Sequence, residues 1–240
     1  MAQRLAKFMA RTGICSRRQA EEYIVQERVT VNSNIVSTPA FNVSGEEEIL
    51  LDGEKLPVIE QTKLFLYHKP TGLVTTHKDE KGRLTVFDAL PKDLPRLISV
   101  GRLDLNSEGL LLLTNNGELA RELELPKNAW SRRYRVRVHG RIDEKKLHGL
   151  EDGVEIEGIA YGKVSITIDQ QTGTNAWLTV CLNEGKNREI RKLMKFAGLE
   201  VARLIRVSYG PFQLGNLKRG EIRQVPYKVL KEQLGGRFEL

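Results

Sequence analysis

The sequence predicts an α+β protein. A small α/β domain over residues 1–60 precedes a larger domain over residues 61–240, built on a mixed, largely antiparallel sheet. Three observations predict this. In the second part, apolar runs of strand length alternate with helical segments too irregularly for repeating strand–helix–strand units, which would give a parallel sheet. In the first part, two short amphipathic helices and a few short strands fill about sixty residues ahead of a break at 56–62. Charge changes across that break: residues 1–60 hold 7 Lys/Arg against 9 Asp/Glu, and the remainder holds 31 against 22.

The 240 residues suffice for a sizeable core and one or two domains. Hydrophobic residues make up 40% and charged residues 29%, the mix of a globular protein. No apolar run is long enough to span a bilayer, and the Met1–Lys7 stretch lacks the apolar centre of a secretory signal. The expectation is a cytoplasmic protein without a membrane partner. Cys15 and Cys181 form no CxxC pair and read as reduced, structural residues. A net charge of +7 favours a polyanionic partner. Basic residues also concentrate at the start, where Arg4, Lys7, Arg11, Arg17 and Arg18 stand without an acid in the first eighteen residues.

In order along the chain, Leu5, Phe8 and Met9 stand at helical spacing, with Gly13 as a stop. Arg4, Lys7 and Arg11 then share a polar face. Ser16-Arg17-Arg18-Gln19 is a capping box opening a second helix, whose free N–H groups beside two arginines suit a phosphate. Val29 and Val31 start a strand that turns at 32–34 and returns through Ile35 and Val36, and 49–51 with Asp52-Gly53 makes another short pair. The second domain offers strands at 64–68, 110–114, 134–138, 164–168, 177–182 and 201–207. Helices are expected at 118–123, 144–150, 188–196 and 227–233. Gly235 to Phe238 reads as a loose tail.

The densest chemical signal is Gly101-Arg102-Leu103-Asp104-Leu105-Asn106-Ser107-Glu108-Gly109, which runs into four leucines. Asp104 sits in a loop feeding a buried strand, where a carboxylate is held rigidly and still reaches a ligand. It either caps a turn with Asn106 and Ser107 or acts as a nucleophile. A nucleophilic carboxylate in a dry site needs a guanidinium to stay ionised, and Arg102 and Arg191 are the candidates. Arg188, Arg191 and Lys195 share one helical face, either solvated or turned to RNA, while Ile190, Leu193 and Met194 face inward. Tyr134 is either a plain strand aromatic or a platform for an extruded base. Lys69, in Tyr67-His68-Lys69-Pro70-Thr71-Gly72, either contacts phosphate or sits in a structural turn. A Walker loop, a GxGxxG turn, an HExxH helix and metal-spaced histidines are all lacking, so neither a metal nor a nucleotide cofactor is expected.

Taken together, Tyr67-His68-Lys69-Pro70-x-Gly72, the 101–112 stretch, Arg133-Tyr134, and Glu184-Gly185-x-Asn187-Arg188-x-Ile190-Arg191 resemble the RsuA/RluB-type rRNA pseudouridine synthases, with residues 1–60 similar to their S-four RNA-binding module. The resemblance implies a pseudouridine synthase catalytic domain and isomerisation of uridine in ribosomal RNA or a ribosomal subunit precursor, by a monomer. It implies that Asp104 is the nucleophile, that Arg191 pairs with it, that Tyr134 stacks on the uracil, that Arg102 helps hold the flipped nucleotide, and that Leu204 packs against the base. Arg188, Lys69, Arg4, Lys7, Arg17 and Arg18 would contact RNA. The Asn106–Ala120 stretch is closer to the large-subunit branch, RluB, than to the small-subunit one. A non-catalytic RNA-binding assembly factor and a single-carboxylate nucleoside hydrolase or glycosylase are the rival readings.

Overall fold

The computed structural model describes residues 2–236. Of the expected tail, Arg237 and Phe238 lie outside the described residues. The first part contains β1 (Gln3–Arg4), α1 (Leu5–Arg11), α2 (Arg17–Val25), β2 (Val29–Val31), β3 (Asn34–Ile35), β4 (Asn42–Val43), β5 (Ile49–Leu51) and β6 (Glu54–Lys55). The expected capping box opens α2: Gln19 N donates to Ser16 Oγ at 3.1 Å, and Ser16 N donates to Gln19 Oε1 at 2.9 Å. Two tight hairpins follow. Asn32 and Ser33 turn β2 into β3, and Asp52 and Gly53 turn β5 into β6, all four with positive φ as such turns require. The strands pair antiparallel in the order β3-β2-β5-β6, and Leu5, Met9, Ala20, Ile24, Val29 and Ile49 pack between helices and sheet. Cys15 is buried in that core, and both cysteines are free.

Residues 56–63 carry no helix or strand. Their end is tied down, since Lys63 N and Asn115 Oδ1 lie 2.8 Å apart and Asn116 Nδ2 donates to Thr62 Oγ1 at 2.8 Å. Beyond them come β7 (Leu64–Lys69), β8 (Ile98–Val100), β9 (Glu108–Thr114), α3 (Gly117–Glu124), β10 (Arg132–His139), α4 (Glu144–His148), β11 (Val154–Ile156) and β12 (Ile159–Tyr161). They are followed by β13 (Val164–Thr172), β14 (Asn175–Leu182), α5 (Glu189–Phe196), β15 (Glu200–Tyr209), β16 (Phe212–Gln213), β17 (Ile222–Gln224) and α6 (Tyr227–Leu234). A nine-stranded sheet runs β13-β14-β10-β15-β9-β7-β17, with β16 on β15 and β8 on β9. Every pairing in it is antiparallel except β15 with β9.

All seven residues of β9 are buried, as a central strand covered on both faces demands. Leu111 and Leu113 face α5, meeting Ile190, Leu193 and Met194 through a core shared with Tyr134 and Val136. Leu110 and Leu112 face α3 and α6, in a second core with Leu123, Leu230 and Leu234. The short strands β8, β11, β12, β16 and β17 lie outside the sequence expectation. Two or three residues are too few to show a period; β11 pairs with β12 and β16 with β15 in tight hairpins, while β17 pairs with the distant β7.

Gly109 marks where β9 meets β15. Its φ is +107°, and a Cβ there would stand 2.3 Å from the Arg206 carbonyl oxygen. Only glycine allows that approach. Gly109→Ala is expected to destabilise the fold by roughly 3 kcal/mol in urea unfolding. A loss under about 0.5 kcal/mol would contradict this packing.

Candidate active site

The loop between β8 and β9 carries Asp104, and a buried lysine holds it from beneath. Lys69 at the end of β7 is 0% exposed, and its ammonium donates to the carbonyls of Pro70 at 3.0 Å, Asp104 at 3.1 Å and Ser107 at 3.0 Å. All three of its donors are spent on backbone. This corrects the expectation that Lys69 contacts phosphate: it is sealed off from any ligand and fixes the loop instead. Burial pushes Lys69 down to about 8, against the opposing pull of the Asp104 and Glu108 carboxylates. Further bonds complete the frame. Ser107 N donates to Asp104 O at 3.0 Å, Gly72 N to Leu105 O at 2.8 Å, and Thr75 Oγ1 to Leu103 O at 3.0 Å. At the far end, Glu108 is 3% exposed and pairs with Arg203 and, at 2.9 Å, with Arg219.

The Asp104 side chain emerges 34% exposed. Its ion-pair partner is Arg188, Nη1 to Oδ2 at 3.7 Å, which corrects the expectation that Arg191 makes the pair. Arg191 instead donates from Nη2 to the Asn106 carbonyl at 2.9 Å and from Nη1 to the Val201 carbonyl at 3.1 Å. It braces the same loop through the backbone. Burial lowers Arg191, the Arg188 charge adds to this, and Asp104 opposes it. The exchange of roles has a local cause. Arg188 is not the first helical residue: it caps α5 in the left-handed region, φ 52° and ψ 32°. Its side chain therefore leaves the helix face that extrapolation from Arg191 and Lys195 assigns to it. Such a conformation in a non-glycine residue stores strain of order 1–3 kcal/mol and persists where the surroundings enforce it.

Asp104 and Arg188 open into a cleft of about 1610 Å³, larger than a pocket for one small molecule and suited to a segment of a polymer. Tyr134 of β10, 8% exposed, and Leu204 of β15, 6% exposed, line its floor together with the exposed Arg102. Arg17 and Arg18, at the start of α2, line the same cleft from the amino-terminal part. Arg4 and Lys7 do not line it. The Arg4 guanidinium is turned to the Ala40 carbonyl, and Lys7 is paired with Glu118 of α3, so these two charges hold the chain to itself. Three lining residues fall outside the sequence reading. His77 is stacked on Phe87 at 3.6 Å. Glu189 is pushed up to about 7 by burial and then by the adjoining Glu184. Arg206 is 3% exposed, donates from Nε to the Leu110 carbonyl at 2.7 Å and leaves Nη2 unpartnered. The signal for Arg206 was its place two residues after Leu204, on the same face of a strand. Among the described residues, no group of three His, Cys, Asp or Glu side chains is placed to hold a metal ion.

The family model for RNA pseudouridylate synthase matches residues 63–196, and that for the S4 domain matches residues 3–49. The chain belongs to the RNA pseudouridylate synthase family. It is therefore an isomerase acting on RNA. An RNA pseudouridine synthase of Rickettsia bellii is 50% identical over 229 residues, 95% of this chain and 99% of that protein. Ribosomal large subunit pseudouridine synthase B of Yersinia pestis is 41% identical over 236 residues, covering 95% of this chain and 74% of that protein. A crystal structure of a pseudouridylate synthase superposes with a TM-score of 0.69 at 26% identity, over 96% of this chain and 99% of that one. The expectations of family, of fold class and of an enzyme rather than a binding module all hold. No helix among the described residues is long and apolar enough to cross a membrane.

Replacing Lys69 by methionine removes its ammonium from three carbonyls, of which Asp104 O keeps the bond from Ser107 N. The Lys69→Met enzyme is expected to lose about 3 kcal/mol of stability and to lose turnover at temperatures where it is still folded. Retention of both would remove the lysine from the account.

Proposed function

We propose that the enzyme converts one specific uridine of ribosomal RNA, in the large subunit, to pseudouridine, with Asp104 as the nucleophile. The observation that carries this is the Asp104 carboxylate, framed from below by Lys69 and paired with Arg188, at the mouth of a cleft whose other wall is the basic start of α2. The names of relatives at 41% and 42% identity favour the large-subunit RNA. In this reading residues 1–60 grip folded RNA by phosphate and shape, and residues 61–240 perform the chemistry. The enzyme works as a monomer, in the cytoplasm, on ribosomal RNA or a subunit precursor.

Uridine and pseudouridine are isomers. The bond from ribose C1′ to N1 breaks, the ring turns, and C1′ is joined to C5. The C5 hydrogen leaves as a proton and N1 acquires one, so the reaction balances without oxidant, reductant or cofactor. Asp104, whose carboxylate faces the Arg188 guanidinium, supplies the nucleophilic electron pair, and the bond it forms to the substrate breaks again before product leaves, so the carboxylate is regenerated. A uridine inside a helix must first leave its stack, which costs a few kcal/mol. The Tyr134 ring offers the extruded base a stacking face, and Leu204 an apolar edge on the same side of the sheet. Arg102, Arg188 and the orphaned Arg206 Nη2 supply donors for phosphate or uracil oxygens.

Asp104→Asn is expected to reduce pseudouridine formation on ribosomal RNA by more than about a thousandfold while RNA affinity changes little. Turnover at the normal rate would overturn the nucleophile assignment. Replacing Arg17 and Arg18 by glutamine is expected to weaken RNA binding and flatten its salt dependence by about 2 in slope. Replacing Lys7 is expected to leave that slope unchanged, as measured by filter binding across a salt series.

A further inference from the structure

The alternation along β10 puts Tyr134, Val136 and Val138 into the core and Arg133, Arg135 and Arg137 out to solvent on the opposite face of the sheet from the cleft. Successive arginines stand about 7 Å apart along the strand. Their neighbours across the ladders are Cys181, Thr179 and Trp177 on β14, and Ser208, Ile205 and Arg203 on β15. None of the three has an ion pair among the described residues. The acids near this face are Glu108, paired with Arg203 and Arg219, Asp169, which accepts from the Thr179 hydroxyl at 2.9 Å, and Glu200, which lies opposite His139 at the end of the row; among the described residues none of them makes an ion pair with the three arginines.

Two features make this row more than a solvated face. Arg137 lies between Trp177 and Arg203 across the ladders, and the Arg203 charge is met by Glu108, so no carboxylate directly across either ladder answers Arg137. Charged residues on edge strands block unwanted pairing, but β10 lies inside the sheet between β14 and β15, so that reason does not apply. In addition, Trp177 lies under this charge, with the Arg135 guanidinium 4.8 Å and the Arg203 guanidinium 6.0 Å from its ring. An aromatic beside the Arg135 guanidinium, which has no ion pair among the described residues, is a combination that suits a nucleic-acid strand. The helices α3 and α6 cover only the half of this face formed by β9 and β7, through Leu110, Leu112 and Leu64.

We propose that Arg133, Arg135 and Arg137, with Trp177, form a second RNA-binding surface on the back of the catalytic sheet, which holds the phosphate backbone of a part of the substrate remote from the modified uridine. The proposal rests on the reading above that the substrate is a large folded RNA. It assigns to this face affinity and orientation, with no part in the chemical step. A short hairpin that fills the cleft cannot reach round the sheet, whereas an intact ribosomal RNA can.

The test compares wild type, a triple Arg→Gln variant and a triple Arg→Lys variant at positions 133, 135 and 137. The probes are full-length large-subunit ribosomal RNA transcribed in vitro and a short hairpin excised from it. The glutamine variant is expected to bind the long transcript about tenfold more weakly, with a salt slope shallower by 2 to 3. Its affinity for the hairpin and its single-turnover rate at saturating enzyme are expected to match wild type. The lysine variant, which keeps the charge, is expected to bind the transcript within about twofold of wild type. Unchanged affinity and slope in the glutamine variant would overturn the proposal. So would an equal loss in the lysine variant, which would mean a packing defect, or a loss of binding to anionic phospholipid vesicles with none to RNA. If wild type makes no pseudouridine on this transcript, the large-subunit assignment fails, and the comparison of slopes still decides the role of the arginine row.

Discussion

One buried ammonium group organises the loop that carries Asp104. Lys69 reaches from the last position of β7 into the interior, where it is fully buried, and meets three carbonyl oxygens, two of them in the loop that presents Asp104. A buried lysine is costly unless every N–H finds an acceptor. Here each does, so the loop cannot shift without leaving a charge unsolvated. Rigidity in the 104–107 segment is therefore a consequence of electrostatics more than of side-chain packing. From above, Arg191 grips the Asn106 carbonyl, leaving Arg188 free to face the carboxylate.

This separation of tasks explains why three cations crowd one carboxylate. Lys69 and Arg191 bond only to backbone and set where the carboxylate stands. Arg188 alone meets it, and its left-handed backbone aims it away from the helix that follows. Backbone anchors on both sides hold the loop that carries the carboxylate. The amino-terminal part adds a second wall. The start of α2 faces the same cleft, while Lys7 and Glu118 clasp the two parts together. The cleft thus carries fixed charge on both sides.

Much of this was legible in the sequence where the causes are local. The Ser16 capping box depends on residues three apart and could be read directly. Asp104 stood out because Gly101, Gly109 and the leucine run define a loop ahead of a buried strand. Gly109 proves necessary through its contact with Arg206, a partner far along the chain that no local pattern reveals. Lys69 was misread for the same reason: its acceptors at Asp104 and Ser107 lie 35 and 38 residues away, and nothing near Pro70 signals burial. Arg188 and Arg191 exchanged places because one residue with positive φ breaks the helical extrapolation. The minor strands were illegible because two- or three-residue segments take their pairing from neighbours, not from their own period.

The claim that Lys69 sets the position of Asp104 is tested most directly by titrating the Lys69 ammonium by nitrogen-detected NMR while single-turnover rates are followed over the same pH range. Burial lowers this group, so between about pH 8 and the ordinary lysine value of 10.5 the unfolded chain binds more protons here than the folded one. Its own contribution to stability therefore rises with pH over that window, so the titration of Lys69 does not itself unfold the protein there. The account predicts a midpoint near 8 and a fall in turnover through the same midpoint, as the amine keeps two donors for three carbonyls. A lysine titrating near 10.5, with turnover flat through pH 9, would contradict it.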